Sequence, residues 1–349
     1  MDATLAVVGA GAAAAAATYA ARTARPSLQI DVFEKSRGVC GRAAARRRNG
    51  IVYDYGANFL LDKGGRASAF ATSTCSEGLV EIDGPVASVD AEGTVRASSL
   101  DGTRRWTYED GITRLAKHLF AAAGVDVQRE TRIVDIRRRD ASSAQGGWRL
   151  ADADGDEYGP FDVLLLNPPA PQTATLLRDT GVEAVDHLGA AARTVEYQAV
   201  WTAVLGYDFE IDVPYYGLRS EAPTPTVGWI GREECKPGHV PKGQSVLVVQ
   251  AGPNWSSDHY DAPPEDNIDR LCRRTAEIIG DRRLTAPAWT DWQGWKYAFP
   301  QEAVEDRARL TAARNGVYVC GDWVAGTGRL DAAVENGLAT GSALVDALP

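Results

Sequence analysis

The chain lacks several features that mark common classes of protein. Its five cysteines include no C-x-x-C pair and its four histidines no ligand-like pair, so we expect neither a disulfide framework nor a metal site. No run of 18 apolar residues occurs, which argues against a transmembrane helix. A signal peptide needs a basic segment after Met1, where the sequence has Asp2, and we therefore predict a soluble, cytoplasmic protein.

Dense positive charge is also missing. The net charge is −10 over 349 residues, and the basic run Arg46 to Arg48 is short. A nucleic-acid partner requires a basic surface that neutralises phosphates. We expect neither a nucleic-acid partner nor a membrane partner, whereas the composition leaves the oligomeric state open.

What the sequence does contain begins with a β-α-β pattern in the first 34 residues. Residues 4–8 form a short apolar run, which is typical of a buried parallel strand. Residues 12–21 are almost all alanine, which favours a helix, and residues 28–33 alternate before Glu34. This order predicts the start of an open, parallel α/β sheet.

A glycine motif follows the first strand. Gly9 permits a tight turn, Gly11 lets the backbone approach a diphosphate, and the small Ala14 lets helix and strand pack closely. The N–H groups at the start of the helix attract phosphate. Glu34 stands where an acid binds ribose hydroxyls and repels a 2′-phosphate, so NADP is disfavoured. The residues predicted to hold an adenine dinucleotide are Gly9, Gly11, Ala12, Ala13, Ala14 and Glu34.

Two further segments resemble those of flavin-dependent amine oxidases and desaturases. Residues 35–42, KSRGVCGR, are similar to the R-x-G-G-R segment that holds the diphosphate and ribityl chain in that family, with Cys40 where the family has glycine. Residues 55–59, YGANF, resemble a segment that passes near the flavin ring. The resemblance implies cofactor contacts by Lys35, Arg37, Gly41, Arg42, Gly56, Ala57, Asn58 and Phe59.

The C-terminal part carries the same resemblance. Gly321 and Asp322 follow an apolar strand, and in the family this aspartate meets the ribityl hydroxyls. The last helix of the family aims its N-terminus at the flavin and stabilises the anion of the reduced ring. Cys320 lies on the buried strand, so we expect non-covalent FAD. The further predicted contacts are Val134, Asn167, Pro168, Gly321, Asp322, Arg329, Leu330, Asp331 and Ala332.

These motifs at both ends enclose a middle region rich in proline, tryptophan and alternating strands. A chain of this length suits two domains. We therefore predict an α/β fold with a Rossmann-type FAD/NAD(P)-binding domain of the GR2 type, interrupted by a mixed, mainly antiparallel β substrate domain. The predicted boundaries are 1–78, 108–172 and 306–349 for the FAD-binding domain, and 79–107 and 173–305 for the substrate domain.

A narrower resemblance is to the renalase branch of this superfamily. Residues 35–42, the segment 108–112 (YEDGI) and the segment 295–300 (WKYAFP) resemble renalase segments, although Asn58 and Lys296 replace glutamine and arginine. Renalases oxidise isomers of reduced nicotinamide dinucleotides and pass the electrons to O2. The resemblance implies an FAD-dependent oxidoreductase that takes a hydride from such a small molecule, with O2 as acceptor.

The expected catalytic residues lie in the last aromatic segment. Hydride transfer needs the donor carbon stacked in a dry pocket, and the sequence has no obvious catalytic triad or carboxylate pair. We predict that Trp295, Lys296 and Tyr297 are catalytic; alternatively, Lys296 mimics the lysine that holds a water beside the flavin in amine oxidases. Four other tryptophans either line a substrate cage or belong to the core, namely Trp201, Trp229, Trp289 and Trp292.

Two other functions stay open at this point. The first is a flavin amine oxidase or desaturase with a different small substrate, which would share every cofactor motif. The second is an NAD-dependent dehydrogenase or a non-catalytic dinucleotide-binding protein. The segment Gly321–Asp322 counts against the second, because NAD enzymes need no ribityl contact there.

Overall fold

The computed structural model describes residues 2–97, 102–139 and 147–348. Residues 98–101 and 140–146, which belong to the predicted segments 79–107 and 108–172, lie outside the described residues. The strands are β1 (Thr4–Val8), β2 (Gln29–Glu34), β3 (Ala45–Arg48), β4 (Ile51–Asp54), β5 (Leu60–Leu61), β6 (Leu79–Glu81), β7 (Val86–Val89), β8 (Val95–Ala97), β9 (Arg105–Tyr108), β10 (Val127–Arg129), β11 (Ile133–Arg139), β12 (Gly147–Asp152), β13 (Glu157–Phe161), β14 (Val163–Leu166), β15 (Tyr197–Tyr207), β16 (Gly217–Ser220), β17 (Val227–Arg232), β18 (Ser245–Ala251), β19 (Trp289–Pro300) and β20 (Val317–Val319).

Helices connect and cover these strands. The α-helices are α1 (Ala12–Ala24), α2 (Arg66–Thr72), α3 (Arg114–Ala123), α4 (Ala170–Leu176), α5 (Glu183–Thr194), α6 (Pro253–Asp258), α7 (Pro264–Ile279), α8 (Asp306–Ala313), α9 (Asp322–Ala325) and α10 (Leu330–Asp346), with 3₁₀ turns at Glu233–Cys235 and Arg282–Thr285. None of the described helices combines the length and apolar composition needed to cross a bilayer.

A five-stranded parallel sheet forms the nucleotide-binding half, in the order β10-β2-β1-β14-β20. Successive side chains of a strand point to opposite faces. Leu5 and Val7 of β1 pack in the same cluster as α1, α3 and α10, whereas Ala6 and Val8 pack with α4, α5 and the β11–β13 sheet. Both faces are therefore covered, which explains why β1 and β14 are apolar along their whole length. The predicted Rossmann-type β-α-β start is confirmed.

A seven-stranded sheet forms the second half, in the order β19-β15-β18-β17-β16-β7-β8. All of its pairs are antiparallel except β16 with β7, which confirms the mixed, mainly antiparallel prediction. One face packs against α7 through Leu271 and Cys272. The other face meets the β3–β4 hairpin, where Ile51 and Tyr53 contact Val248 and its neighbours.

The middle of the chain is more helical than its sequence pattern predicted. Helices α5, α6 and α7 lie within 173–305, and α7 alone has 16 residues. The predicted long strand over 194–209 is shorter, since α5 ends at Thr194 and β15 begins at Tyr197. Strands β7 and β8 join the large sheet, whereas β9 pairs with β5 on one side and with β6 on the other. The domain boundaries themselves stay a prediction.

Candidate active site

A cavity of about 1730 Å³ lies where the carboxyl ends of the parallel strands face the large sheet. Val8, Glu34 and Asn167 come from or directly follow β1, β2 and β14, and the opposite wall comes from β16 to β19. Ligands of open α/β sheets bind at this edge. The volume exceeds the range of about 300–1,000 Å³ that is typical for one drug-sized ligand. The cavity therefore has room for a dinucleotide and a second small molecule.

Most of the residues predicted from the sequence line this cavity. They are Gly9, Gly11, Ala12, Ala13, Glu34, Lys35, Gly41, Arg42, Gly56, Ala57, Asn58, Phe59, Val134, Asn167, Pro168, Gly321, Asp322, Arg329, Leu330 and Asp331, together with Trp295, Lys296 and Tyr297. Three of the predicted contacts do not line it. Ala14 is buried in the core, Arg37 is exposed on the surface, and Ala332 lies beside Asp331 but outside the lining.

The glycine loop is shaped by close contact with the loop after β14. Gly9 has a φ of +89°, which only glycine adopts freely, and its N–H donates to the Phe33 carbonyl at 2.8 Å. A Cβ atom on Gly11 would lie 2.2 Å from Oδ1 of Asn167. No side chain caps the start of α1, so its first N–H groups are available to an anion. These features fit a diphosphate.

Glu34 also has a structural role that the sequence did not indicate, which is to accept hydrogen bonds from the backbone. Its Oε2 accepts from the Ala10 N–H and its Oε1 from the Ser36 N–H, both at 2.8 Å. The carboxylate therefore fastens the glycine loop to the end of β2. Each carboxylate oxygen can accept more than one hydrogen bond, so contact with ribose hydroxyls remains compatible with this arrangement.

Arg42 joins the predicted cofactor loop to the C-terminal motif. Its guanidinium forms a bidentate pair with Asp322, with both N···O distances 2.7 Å. The same side chain donates to the carbonyls of Tyr297 and Ala298 at 2.8 and 3.0 Å. Three distant segments thus meet at one planar group. The predicted ribityl contact of Asp322 remains a prediction, because its carboxylate is engaged by Arg42.

Cys40, which stands in place of the family's glycine, has a left-handed backbone. Its φ is +79°, a region that side chains with a Cβ rarely adopt. The Cys40 N–H donates to the Ala10 carbonyl at 2.7 Å, which ties the loop to the glycine motif. Burial raises the pKa of the Cys40 thiol to about 12, so the group stays a thiol at neutral pH.

The segment Tyr55–Phe59 is held on three sides. A Cβ atom on Gly56 would lie 1.9 Å from the Arg42 carbonyl, and the Ala57 N–H donates to that carbonyl at 3.0 Å. The Gly56 carbonyl accepts from Gln250 Nε2 at 2.8 Å, and Asn58 Oδ1 accepts from Trp229 Nε1 at 2.8 Å. Sequence reasoning missed Gln250, because nothing in the local pattern separates it from other strand residues.

Strand β19 bulges at the predicted catalytic residues. Between the Val200–Trp295 and Gln198–Phe299 pairs, one residue of β15 faces three of β19, and these three include Lys296 and Tyr297. A bulge takes carbonyls out of the ladder, and two of them accept from Arg42. Trp295 stacks on Tyr55 at 5.3 Å between ring centroids and donates from Nε1 to its carbonyl.

The four tryptophans that were considered for a substrate cage do not form one. Trp201 and Trp292 stack on each other at 5.4 Å, and Trp289 packs against Tyr53. None of these three lines the cavity, whereas Trp229 does. The core interpretation fits the buried Trp201 and the half-buried Trp289, whereas Trp292 is exposed.

The C-terminal motif meets the glycine loop through Asn167. Its Nδ2 donates to the Cys320 carbonyl at 2.9 Å, while the Gly321 N–H donates to Asn336 Oδ1 at 2.9 Å. Arg329 pairs with Asp331 at the first turn of α10. Burial raises the pKa of the Cys320 thiol well above its usual range, which keeps that sulfur unreactive.

The two ends of the cavity differ in their acidic residues. Toward the parallel sheet, acids and cations line the cavity together, namely Glu34, Asp322 and Asp331 with Lys35, Arg42, Lys63, Arg132 and Arg329. The large-sheet end comprises the lining residues from β15 to β19 and their connections. Within the part of the chain that the structure describes, its charged side chains are Arg219 and Lys296, and no acid lines it. Sequence reasoning missed Arg219, which has no motif around it.

A group of buried charges lies beside the segment Tyr55–Phe59. Asp54, Glu233 and His239 are close enough to share a cation. However, the Nζ of Lys236 lies 2.9 Å from Asp54 Oδ2 and 2.7 Å from Glu233 Oε1. This ammonium takes the place that a metal ion would require, and the expectation of no metal site stays a prediction.

The residues around the cavity fit an FAD. The glycine loop and the start of α1 suit its diphosphate, Glu34 suits its adenosine ribose, and the close approach at Gly56 leaves the cavity open beside Arg42. The volume and the two chemically distinct ends suit a long cofactor and a small substrate side by side.

Comparisons with known proteins agree with this fit. Residues 7–73 match the NAD(P)-binding Rossmann-like domain. Cyclohexylamine oxidase from Brevibacterium oxydans IH-35A shares 11% identity over 99% of both chains with a TM-score of 0.75. Wild-type putrescine oxidase bound to putrescine shares 11% over 99% of both chains with a TM-score of 0.73. Reduced UDP-galactopyranose mutase shares 9% over 100% of this chain and 95% of that chain, with a TM-score of 0.78.

At these identities the three structures show a shared fold and no more. The sequence model of the flavin-containing amine oxidoreductases, in contrast, matches residues 68–344, which is well over half of the chain. The protein is therefore an FAD-dependent oxidoreductase and belongs to the flavin-containing amine oxidoreductase family.

Proposed function

We propose that the protein oxidises an isomer of a reduced nicotinamide dinucleotide, with O2 as the electron acceptor. The observation that carries the proposal is the large-sheet end of the cavity. It offers the aromatic side chains of Trp229 and Trp295, which suit a flat dihydropyridine ring, and the cations Arg219 and Lys296, which suit phosphates.

The same observation separates the two flavin-enzyme alternatives. Aliphatic amines such as putrescine are cations at neutral pH, and their recognition favours acidic or polar partners. An end with two cations and no acid among its described lining residues favours an anionic substrate instead. The family assignment leaves the NAD-dependent dehydrogenase and the non-catalytic protein without support.

The roles of the residues follow from their places. We assign the diphosphate of FAD to Gly9, Gly11 and the first residues of α1, and its ribose to Glu34. The chemistry that FAD would supply at this site is acceptance of a hydride from the substrate and transfer of two electrons to O2, which becomes hydrogen peroxide with one proton from the hydride and one from solvent. Trp295 and Tyr297 exclude water and hold the substrate ring, and Lys296 binds the negative charge of the substrate phosphates.

Anaerobic mixing of the purified yellow protein tests the proposal. Aged NADH that contains its isomers should bleach the flavin absorbance, and the amount of flavin bleached should equal only a fraction of the NADH added. Air should restore the absorbance with formation of peroxide. Fresh NADH and putrescine serve as comparison substrates. Bleaching by an amine, with no response to any dihydronicotinamide, would assign the protein to the amine oxidases instead.

A charge variant tests directly whether the cations at the large-sheet end of the cavity bind the substrate. Arg219→Gln should raise the KM for the dinucleotide about three- to tenfold, because a partly solvated ionic hydrogen bond contributes about 1 kcal/mol. Arg96→Gln is the matched control, since Arg96 lies on β8 in the same sheet, pairs with Asp90 and does not line the cavity. Equal KM values for both variants would remove Arg219 from substrate binding.

A further inference from the structure

The buried charges beside the cavity form a closed, balanced group, which we call the charge tetrad: Asp54, Glu233, Lys236 and His239. All four side chains are completely buried. Lys236 Nζ bridges the two carboxylates, and Nδ1 of His239 lies 2.8 Å from Glu233 Oε2. Two anions and two cations therefore cancel in a region where an unpaired charge would be very unfavourable.

The geometry requires that His239 carries both ring protons. Its Nε2 lies 2.9 Å from the Tyr108 carbonyl, which can only accept. Its Nδ1 faces Glu233, whose other oxygen is held as a carboxylate by Lys236. Burial alone would lower the pKa of His239, but the hydrogen bond to Glu233 and the charges of Asp54 and Glu233 raise it above its ordinary value of 6.5.

The tetrad joins three separate parts of the chain. Asp54 ends β4, and its carboxylate also accepts from Thr107 Oγ1 at 2.7 Å and from the Ile112 N–H at 2.8 Å. Glu233 Oε2 accepts from the Asp54 N–H at 3.0 Å. Both the side chain and the backbone of Asp54 are thus fixed by the connection between β17 and β18.

Asp54 directly precedes the segment Tyr55–Phe59, which lines the cavity from Gly56 onward. That segment has little freedom of its own, because Gly56 approaches the Arg42 carbonyl so closely and Trp295 donates to the Tyr55 carbonyl at 3.2 Å. A displacement of Asp54 would therefore be passed to the residues that face the cavity.

We propose that Lys236 and His239 are positioning residues for the cofactor site: through Asp54 they fix the segment Tyr55–Phe59, so that charge pairing in the inserted sheet region sets the affinity for FAD. The inference rests on the proposed assignment of this segment to the cofactor site. Neither residue lines the cavity, so neither touches substrate or cofactor.

The test compares a single and a charge-balanced double variant. Lys236→Met leaves an excess negative charge in the tetrad, whereas Lys236→Met/Glu233→Gln restores neutrality and keeps an amide oxygen where Oε2 accepts from Asp54 and His239. We expect the single variant to bind FAD at least about tenfold more weakly and the double variant to recover most of the affinity. FAD binding to apo-protein is followed by flavin fluorescence, and thermal unfolding of the apo-protein is measured in parallel.

The control is Glu234→Gln, which breaks the pair with Arg232 at 2.9 Å in the same turn without touching Asp54. It should lower the unfolding temperature and leave FAD affinity unchanged. A Lys236→Met protein that loses stability but keeps its FAD affinity would overturn the proposal, as would a double variant as weak as the single one. If Lys236→Met does not fold, His239→Gln takes its place with the same expectation.

FAD binding is measured without substrate, so the test of the charge tetrad stays valid even if the proposed substrate is wrong. Wild-type apo-protein that binds no FAD would instead overturn the proposed cofactor contacts and the function built on them.

Discussion

The two walls of the cavity are held in place by different kinds of contact. Behind the glycine motif, α1 and α10 pack through small residues: a Cβ atom on Gly337 or Gly341 would lie 2.2 Å from the carbonyl oxygen of Ala13 or Ala17. Behind the segment Tyr55–Phe59, the charge tetrad replaces apolar contact with paired ions. The first wall requires that the glycines of α10 have no side chain, and the second requires that all four charges of the tetrad are present.

This contrast predicts which changes each wall tolerates. Backbone packed against backbone cannot move aside for an added methyl group, so the first wall should be sensitive to enlargement. A buried ion pair loses its compensation when one partner is removed, so the second wall should be sensitive to neutralisation. Variants of each kind therefore sharpen or break the comparison.

The largest effect should come from His239→Gln, which removes one cation from the second wall. We expect a loss of about 3 kcal/mol in the free energy of unfolding at mildly acidic pH. The folded-state pKa of His239 is raised above its ordinary value, because Glu233 and Asp54 outweigh burial and the like charge of Lys236. A raised pKa contributes stability fully below about 6.5, and this contribution is lost as the pH rises through the folded-state pKa.

Urea unfolding of wild type and His239→Gln between about pH 6 and pH 9 measures this dependence. The difference between the two proteins should shrink as the pH rises. His187→Gln is the control, since His187 is exposed on α5 and 3.8 Å from the exposed Glu183. A difference that is constant with pH would show that His239 is neutral in the folded protein.

A smaller effect is expected from Gly337→Ala in the first wall. The new Cβ would meet the Ala13 carbonyl oxygen at 2.2 Å, and alanine's better helix propensity offsets only about 1 kcal/mol of the strain. We expect a net loss of about 2 kcal/mol in the free energy of unfolding. Ala339→Leu adds more volume on the exposed face of α10 and should be tolerated. Equal stability of both variants would contradict close packing of α1 on α10.

The same contrast explains how much could be predicted from the sequence. The glycine motif of the first wall lies within one β-α-β unit, where Gly9, Gly11 and Glu34 have fixed spacings, and the elements of this unit were predicted correctly. The second wall joins Asp54 to Lys236, residues 182 positions apart, and no local pattern marks such a pair.

Two other features escaped sequence reasoning for identifiable reasons. The bulge at Lys296 arises from the register of β15 against β19, which alternation of side chains alone cannot reveal. Helix α7, in contrast, left a readable signal: Pro264 at its start and buried Leu271, Cys272 and Thr275 at helical spacing. The surrounding tryptophans and prolines favoured a β interpretation there.

The smallest effect should come from Cys40, which lies in the loop after β2 and carries a side chain on a left-handed backbone. Cys40→Gly relieves a conformational cost of about 1 kcal/mol but gains flexibility in the unfolded chain of similar size, so stability should change by less than about 1 kcal/mol. Cys40→Val keeps the φ of +79° with a β-branched side chain and should be clearly less stable. Urea midpoints of the two variants decide the question, because a valine variant as stable as the glycine variant would be incompatible with a left-handed residue at this position.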